Sequence, residues 1–230
     1  MARISKPTSS DASISDLKVL IVDDEPFIRN LIKRVINTIG ILLVAEASEP
    51  ETARAGLESF QPDIVILDIN MPGESGLHFL RSIRAGATSA KRDLLVIILT
   101  SLEGNNVLPI ALELDANAFI SKGEGFKKLE ARLRRVLNDP LELRNPESYV
   151  AVDIPNLENI SNWAQSDTIK NLDGGGNRVP ANAFKIGNIL TADLLTHGGQ
   201  LLLTKGTVIN ESMRRRIADI EETFGLKSGS

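Results

Sequence analysis

Short apolar runs recur between residues 18 and 138, and amphipathic segments separate them. Continuous apolar runs of this length are typical of strands that are covered on both faces of a sheet. The segments between them carry apolar residues at helical spacing, as in the stripe from Phe27 to Ile39. Alternating strands and helices predict a parallel sheet with helices on both faces. The five predicted strands are residues 19–22, 42–45, 64–67, 94–99 and 118–120.

The pattern changes after Pro140. Residues 189–195 and 200–204 flank a Thr-His-Gly-Gly tetrapeptide, which predicts a β-hairpin. Asn210 can cap a last helix, whose apolar stripe runs from Met213 to Phe224. The predicted fold class is therefore α/β, with a doubly wound five-stranded parallel sheet and a small C-terminal α+β module. The predicted regions are a disordered leader at 1–16, a first domain at 17–139, a linker or irregular segment at 140–180 and a β-hairpin plus helix module at 181–230.

Composition and charge exclude several classes of protein. The chain of 230 residues is 42% hydrophobic and 24% charged, as in ordinary globular proteins. It has no cysteine, which excludes disulfides, thiolate metal sites and a cysteine nucleophile. A net charge of −4 provides no basic excess for non-specific binding of nucleic acid. The apolar runs are far too short to span a bilayer, and no secretory hydrophobic region opens the chain, so we expect a cytoplasmic protein without membrane contact.

The residues of the first domain that can carry chemistry stand at the carboxyl ends of its predicted strands, where open parallel sheets bind ligands. Asp23 and Asp24 follow the first strand, and Asp68 follows the third. Thr100 and Lys122 follow the last two. Clustered carboxylates suit Mg²⁺, and Mg²⁺ with a lysine and a hydroxyl can hold a phosphoryl group. Each residue alone could be a solvated strand-end residue, but together they favour a site in which one carboxylate becomes an aspartyl phosphate.

Four motifs of this domain resemble those of the receiver domain of two-component response regulators. They are Val-Asp-Asp-Glu at 22–25, Asp-Ile-Asn-Met-Pro-Gly at 68–73, Leu-Thr-Ser at 99–101 and Phe-Ile-Ser-Lys at 119–122. The resemblance covers residues 17 to 138. It implies a flavodoxin-like receiver that acts in a phosphorelay, with a sensor histidine kinase or a phosphotransfer protein as its partner.

The resemblance also implies a role for each matching residue. Asp68 would accept the phosphoryl group. Asp24 would bind Mg²⁺ directly, together with Asp68, and Asp23 would bind it mostly through water. Thr100 and Lys122 would contact the phosphoryl oxygens.

Two further residues receive roles by the same resemblance. The backbone carbonyl of Asn70 would complete the Mg²⁺ ligands. Phe119 would be a switch aromatic that turns inward when Thr100 moves, although an aromatic on a strand is equally typical of plain core. Phosphorylation would then shift the population between two arrangements of the face near the fourth helix, fifth strand and fifth helix. Gly123 stands where the family usually has proline after Lys122, which predicts a trans peptide and a more mobile loop.

The C-terminal segment is mildly acidic, with nine basic and eleven acidic residues from 140 to 230. Residues 186–209 are similar to a hairpin-plus-helix segment of response regulators with HD-type phosphohydrolase outputs, whose catalytic part has no counterpart here. We therefore expect a module that binds a downstream protein partner and is compatible with a homodimer, with neither nucleic-acid binding nor a separate enzyme activity. Asp63, Asp93 and Asp115 are interpreted as ordinary surface or capping residues.

Two other functions remain open. An aspartyl-phosphate phosphohydrolase needs an acid–base carboxylate two residues after its nucleophile, and Asn70 occupies that position. A transcription factor with an atypical output domain would need a basic surface, and the run Arg214 to Arg216 on the last helix is the candidate. Neighbouring acidic residues favour a solvated helix face for that run.

Overall fold

The computed structural model describes residues 14–100, 107–122, 128–138, 141, 143–155, 180–197, 199 and 201–228. Helices and strands alternate through the first domain. Its elements are β1 (Lys18–Val22), α1 (Pro26–Thr38), β2 (Leu43–Ala47), α2 (Pro50–Ser59), β3 (Ile64–Asp68), α3 (Gly76–Ala85), β4 (Leu95–Thr100), α4 (Val107–Glu113), β5 (Ala118–Ser121) and α5 (Leu129–Val136).

The five strands form one parallel sheet in the order β2-β1-β3-β4-β5. Alternate residues of each strand face opposite sides, so the sheet divides the core in two. In β1, for example, Val19 and Ile21 belong to the cluster that includes α1 and α5, whereas Leu20 and Val22 belong to the cluster that includes α2, α3 and α4. The predicted fold class, a flavodoxin-like doubly wound sheet, is confirmed.

β4 is shifted by one residue from the predicted 94–99, and the predicted strand with the largest displacement lies at the edge of the sheet. β2 runs from Leu43 to Ala47 instead of 42–45, and Leu42 is 71% exposed. An edge strand has a neighbour on one side only and is partly open to solvent. Its apolar pattern therefore marks its position less sharply than the buried strands mark theirs.

The C-terminal region forms a three-stranded antiparallel sheet and a helix. Within the described residues the predicted hairpin is present as β6 and β7, and the Asn210 side chain accepts a hydrogen bond from Met213 N at 2.7 Å, as predicted for an N-cap. The third strand was not predicted. The elements are α6 (Pro146–Val150), β6 (Leu194–Thr196), β7 (Leu201–Leu203), α7 (Glu211–Phe224) and β8 (Leu226–Ser228), with sheet order β7-β6-β8.

The segment predicted as a linker contains a helix that packs on the first domain. Tyr149 of α6 is fully buried beside α3. Its hydroxyl donates to Asp115 Oδ2 at 2.6 Å and accepts a hydrogen bond from Arg144 N at 2.9 Å. The interpretation of Asp115 as an ordinary surface residue was wrong, because this carboxylate also pairs with Arg216 of α7 at 2.7 Å. Residues 156–179 lie outside the described part of the chain.

Among the residues that the structure describes, no helix has both the length and the apolar character that a bilayer crossing requires.

Candidate functional site

The parallel register brings the predicted site residues to one edge of the sheet. Asp68 and Thr100 are the last residues of β3 and β4, and Asp23 follows β1 directly. Lys122 follows β5, and its backbone N–H donates to Thr100 O at 2.9 Å. Asp23, Asp68 and Thr100 are buried, at 0%, 1% and 4% exposure. Neighbouring strands thus end together and place these side chains around one cleft.

Lys122 lies at the centre of this cluster. Its Nζ is 2.9 Å from Asp23 Oδ2, 3.0 Å from Asp68 Oδ2 and 3.2 Å from Glu25 Oε1. Two buried carboxylates therefore share one ammonium, and the exposed Glu25 competes for it from the solvent side. Glu25 belongs to the Val-Asp-Asp-Glu motif, but the family resemblance implied no role for it.

The negative charge of the carboxylates in this cluster exceeds the positive charge of Lys122. Burial raises the pKa of Asp68 to about 6, although the charge of Lys122 opposes the rise. Burial also raises the pKa of Asp23 above its ordinary value, against the hydrogen bond from Lys122. Burial alone would lower the pKa of Lys122, but the charge of Asp68 and hydrogen bonds to both aspartates outweigh it, and this pKa is raised. A further cation would relieve the excess negative charge.

The donor set fits a hard divalent cation such as Mg²⁺. Carboxylate oxygens of Asp23, Asp24 and Glu25 lie within 4.8 Å of one another. Asp68 Oδ1 is a buried carboxylate oxygen beside these groups. Such an oxygen, next to a group of carboxylates, suits an ion that takes oxygen ligands. Asn70, the other predicted ligand, lies two residues beyond β3 with an exposed side chain.

The loop that carries the acidic residues is held by contacts that sequence analysis did not identify. Arg29 of α1 donates to the backbone carbonyls of Asp23 at 2.7 Å and Asp24 at 3.2 Å. Asp23 Oδ1 accepts from Glu25 N at 2.9 Å. Arg29 lies one helical turn after Glu25, and that spacing is the only signal in the sequence that could have indicated this contact.

Phe119 and Thr100 lie on the same face of the sheet. Phe119 pairs with Ile98 in the β4–β5 register, and both belong to one hydrophobic cluster. Thr100 is two residues beyond Ile98 and so faces the same side. Phe119 is fully buried. Ser101 and Gly123, which flank the site in sequence, lie outside the described residues.

The turn after Asp68 brings two backbone segments into close contact. Gly76, the first residue of α3, donates from its N–H to Ile69 O at 3.0 Å. A Cβ atom at Gly76 would lie 2.0 Å from the carbonyl oxygen of Asp68. Only glycine fits this approach, which fixes the backbone of Asp68 against the start of α3.

Comparisons with known proteins show which proteins the chain is similar to. A family model described as the response regulator receiver domain matches residues 19–134. The chain is 42% identical over 123 residues to protein-glutamate methylesterase/protein-glutamine glutaminase 3 of Rhodospirillum rubrum, covering 53% of this chain and 32% of that protein. It is 27% identical over 176 residues to the DNA-binding transcriptional activator EvgA of Escherichia coli K12, covering 75% of this chain and 84% of that protein.

A solved structure to which this chain is similar is the response regulator domain of Thermotoga maritima CheB. It is 28% identical, covers 54% of this chain and 98% of its own, and superimposes with a TM-score of 0.47. The chain spans about a third or less of the length of the methylesterase relatives that it matches.

Proposed function

Since the chain belongs to the response regulator receiver family of two-component signalling, we propose that Asp68 accepts a phosphoryl group from the phosphohistidine of a histidine kinase or phosphotransfer protein. A carboxylate oxygen of Asp68 attacks phosphorus, the phosphorus–nitrogen bond breaks, and the imidazole leaves and takes up a proton. The product is an acyl phosphate on Asp68. The observation that carries the proposal is the position of Lys122 Nζ, about 3 Å from both Asp23 and Asp68.

The surrounding residues are suited to stabilise the transferred group. Lys122 would exchange its contact with Asp68 for one with a phosphoryl oxygen, and the Thr100 hydroxyl would donate a hydrogen bond to another. Asp23, Asp24, Asp68 and the Asn70 carbonyl would hold Mg²⁺. When bound, Mg²⁺ supplies positive charge that offsets the charge of the phosphoryl oxygens. At neutral pH the Asp68 carboxyl, with a pKa of about 6, is mostly ionised and able to attack.

Labelling with acetyl phosphate tests the proposal. Wild-type protein in Mg²⁺ should gain the mass of one phosphoryl group, as measured by intact-protein mass spectrometry. Asp68→Asn should not gain it. Asp93→Asn, which changes an exposed aspartate in the same way, should label like wild type. Absence of labelling in folded, Mg²⁺-loaded wild type, or equal labelling of Asp68→Asn, would contradict the proposed function.

We also propose that the C-terminal module acts through protein contacts and adds no separate enzyme activity. The curated methylesterases extend far beyond the region of similarity, so their likeness concerns the receiver domain. The module would bind a downstream partner, and a homodimer is compatible with this role. Size-exclusion chromatography with light scattering, with and without the phosphoryl mimic beryllofluoride, measures the oligomeric state directly.

DNA binding is the second candidate, favoured by the length of the similarity to EvgA. The charges of α7 speak against it. Arg214 and Arg215 pair with Glu211 of the same helix, and Arg216 is buried against Asp115. Sequence-specific, salt-dependent binding to duplex DNA would support this candidate, and its absence with beryllofluoride bound would exclude it.

A further inference from the structure

Arg29 of α1 contacts the backbone of both aspartates in the acidic loop, which is residues 23–25 between β1 and α1. Its Nη1 donates to Asp23 O at 2.7 Å and to Asp24 O at 3.2 Å. The Arg29 side chain is 15% exposed, so most of it is shielded from solvent. Both acceptors are backbone carbonyls. The guanidinium therefore holds the loop and leaves the carboxylate oxygens of Asp23 and Asp24 to other partners.

Glu46 of β2 orients this guanidinium. Glu46 Oε2 accepts a hydrogen bond from Arg29 Nε at 3.4 Å, and Glu46 Oε1 accepts one from Lys33 Nζ at 2.7 Å. The next residue of β2, Ala47, accepts a hydrogen bond from Asp23 N at 3.1 Å. Strand β2 thus holds the acidic loop twice, directly through Ala47 and indirectly through Glu46 and Arg29.

The acidic loop has an intrinsic tendency to open. Carboxylate oxygens of Asp23, Asp24 and Glu25 lie within 4.8 Å of one another, and like charges at such distances repel. Without a cation, this repulsion favours loop conformations in which the carboxylates separate. A cation that binds a spread loop must collect its ligands, and ordering them costs conformational entropy. Contacts that keep the loop in one conformation before the cation binds reduce that cost.

We propose that Arg29 is a positioning residue that preorganises the acidic loop for Mg²⁺, and that Glu46 acts through Arg29. The inference rests on the proposed function, in which Mg²⁺ assists phosphoryl transfer to Asp68. Within the described residues, the hydrogen bonds of Arg29 go to the loop backbone and to Glu46. Since these contacts are with the loop and not with Asp68, Arg29 affects the affinity for Mg²⁺ rather than the rate of phosphoryl transfer at saturating Mg²⁺.

Two effects of Arg29 on Mg²⁺ binding oppose each other. The positive charge of the guanidinium repels a cation, whereas its hydrogen bonds fix the loop that binds one. Glu46 pairs with Arg29 and offsets part of that charge, and solvent screens the remainder. The hydrogen bonds to the loop have no such compensation, so their effect outweighs the repulsion. The direction in which Mg²⁺ affinity changes when Arg29 is replaced distinguishes the two effects.

Calorimetric titration of the full chain with Mg²⁺ tests the inference. Arg29→Gln should raise the dissociation constant about ten-fold, as is typical when a group that orients metal ligands is removed. Arg29→Lys should also raise it, because an ammonium cannot donate to the loop and to Glu46 in the planar geometry of a guanidinium. Lys33→Gln is the matched control, since it removes the same charge from the same helix and Lys33 pairs with Glu46. This control should bind Mg²⁺ like wild type.

Tighter or unchanged Mg²⁺ binding in Arg29→Gln would overturn the inference, because the repulsion would then equal or exceed the effect of the hydrogen bonds. Equal weakening in Lys33→Gln would overturn it as well, because the change would then come from α1 in general and not from the loop contact. Thermal melting in EDTA establishes that each variant is folded. If Arg29→Gln does not fold, Arg29→Lys, which keeps the charge, takes its place in the comparison.

The Mg²⁺ dependence of labelling by acetyl phosphate separates positioning from chemistry. In Arg29→Gln, the Mg²⁺ concentration that gives the half-maximal labelling rate should rise by the same factor as the dissociation constant. The rate at saturating Mg²⁺ should match that of wild type. A lower saturating rate at an unchanged half-saturating concentration would contradict the inference. If wild type is not labelled at all, the proposed function fails, whereas the calorimetric difference between Arg29→Gln and Lys33→Gln still decides the role of Arg29.

A double-mutant cycle tests the role of Glu46. Glu46→Ala removes the acceptor that orients Arg29, and it should weaken Mg²⁺ binding less than Arg29→Gln does, because Arg29 can still reach the loop. The two substitutions together should weaken binding no further than Arg29→Gln alone, since Glu46 acts through Arg29. Additive effects would show that Glu46 acts on the site by another route, and they would refute that part of the proposal.

Discussion

At the residue scale, the site is defined by two buried carboxylates and one ammonium. Asp23 and Asp68 both face Lys122, and neither carboxylate has a second strong cation beside it in the described part of the chain. The raised pKa of Asp68 is the consequence of burial that one lysine does not fully offset. The same imbalance explains why the cleft suits a divalent cation, which supplies the missing positive charge and would also offset the negative charge that a phosphoryl group adds.

The first prediction concerns the pH dependence of stability in metal-free protein. The pKa of Asp68 is about 6 in the folded state and is ordinary when unfolded, so the folded state holds the extra proton between about pH 4 and pH 6. The contribution of Asp68 to the free energy of unfolding of the wild type therefore falls as the pH rises through that interval, and it stays low at higher pH. Asp68→Asn removes the destabilisation that comes from ionising the buried carboxyl. The free energy of unfolding of this variant should exceed that of wild type by up to about 3 kcal/mol at pH 7.

Urea denaturation in EDTA, repeated from pH 4 to pH 8, measures this difference. The extra stability of Asp68→Asn over wild type should disappear towards pH 4, where the wild-type carboxyl is protonated. The exposed Asp93→Asn should change stability little at any pH. A gain that is the same at pH 4 and pH 7 would mean that the ionisation of Asp68 is not its cause.

At the element scale, the turn between β3 and α3 and the C-terminal segments decide how the site is held. Gly76 allows α3 to begin directly against the Asp68 backbone. Asp115, after α4, joins Tyr149 of α6 and Arg216 of α7 through its two oxygens. These contacts tie segments beyond the receiver to α4, the helix that precedes β5, so the described C-terminal elements share the receiver's core.

The second prediction is that Gly76→Ala disturbs the phosphoacceptor. A methyl group 2.0 Å from Asp68 O forces the turn or the helix to move. We expect a loss of about 1–3 kcal/mol in the free energy of unfolding and slower labelling by acetyl phosphate. Chemical denaturation and labelling kinetics measure the two effects.

Gly56→Ala is the matched control for this substitution. Gly56 lies within α2, and a Cβ there would meet Leu20 methyl carbons at 3.3 and 3.4 Å, which flexible side-chain ends can accommodate. Alanine also favours a helix over glycine by about 1 kcal/mol, which offsets the crowding. Equal damage from both substitutions would argue against a special role for the Asp68–Gly76 contact.

At the scale of the whole molecule, the acidic cleft and the docked helix α7 are built from distant parts of the described chain. Arg29 holds the acidic loop after β1, in the N-terminal part of the described chain. Helix α7, in its C-terminal part, packs against β5. Binding of a cation at the cleft should therefore change the thermal stability of the whole fold.

The third prediction follows from mass action. Mg²⁺ should raise the melting temperature of wild type, because a ligand of the folded state alone adds about 1.4 kcal/mol for each tenfold excess over its dissociation constant. EDTA should reverse the change. Asp24→Asn, which removes one carboxylate of the acidic cluster, should show a clearly smaller shift in differential scanning calorimetry. An equal shift in Asp24→Asn would place the stabilising Mg²⁺ elsewhere.

The sequence by itself determined the sheet and most of the cleft. Apolar runs such as 64–67 mark buried strands, and their carboxyl ends must share one edge because the strands are parallel. Asp23, Asp68, Thr100 and Lys122 could therefore be placed together without coordinates. The structure brings them together, and their roles in phosphoryl transfer remain the proposal.

The tertiary structure alone decided which distant side chains meet. The contact of Arg29 with the acidic loop, the shared carboxylate of Asp115 and the burial of Asp219 between Arg132 and Arg135 have no periodic signal in the sequence. Hydrophobic periodicity reports how one element faces the core, because it arises from local backbone geometry. Pairing between helices far apart in the chain depends instead on how the completed elements pack. For this reason α7 could be predicted as a helix, but its packing against β5 could not be predicted.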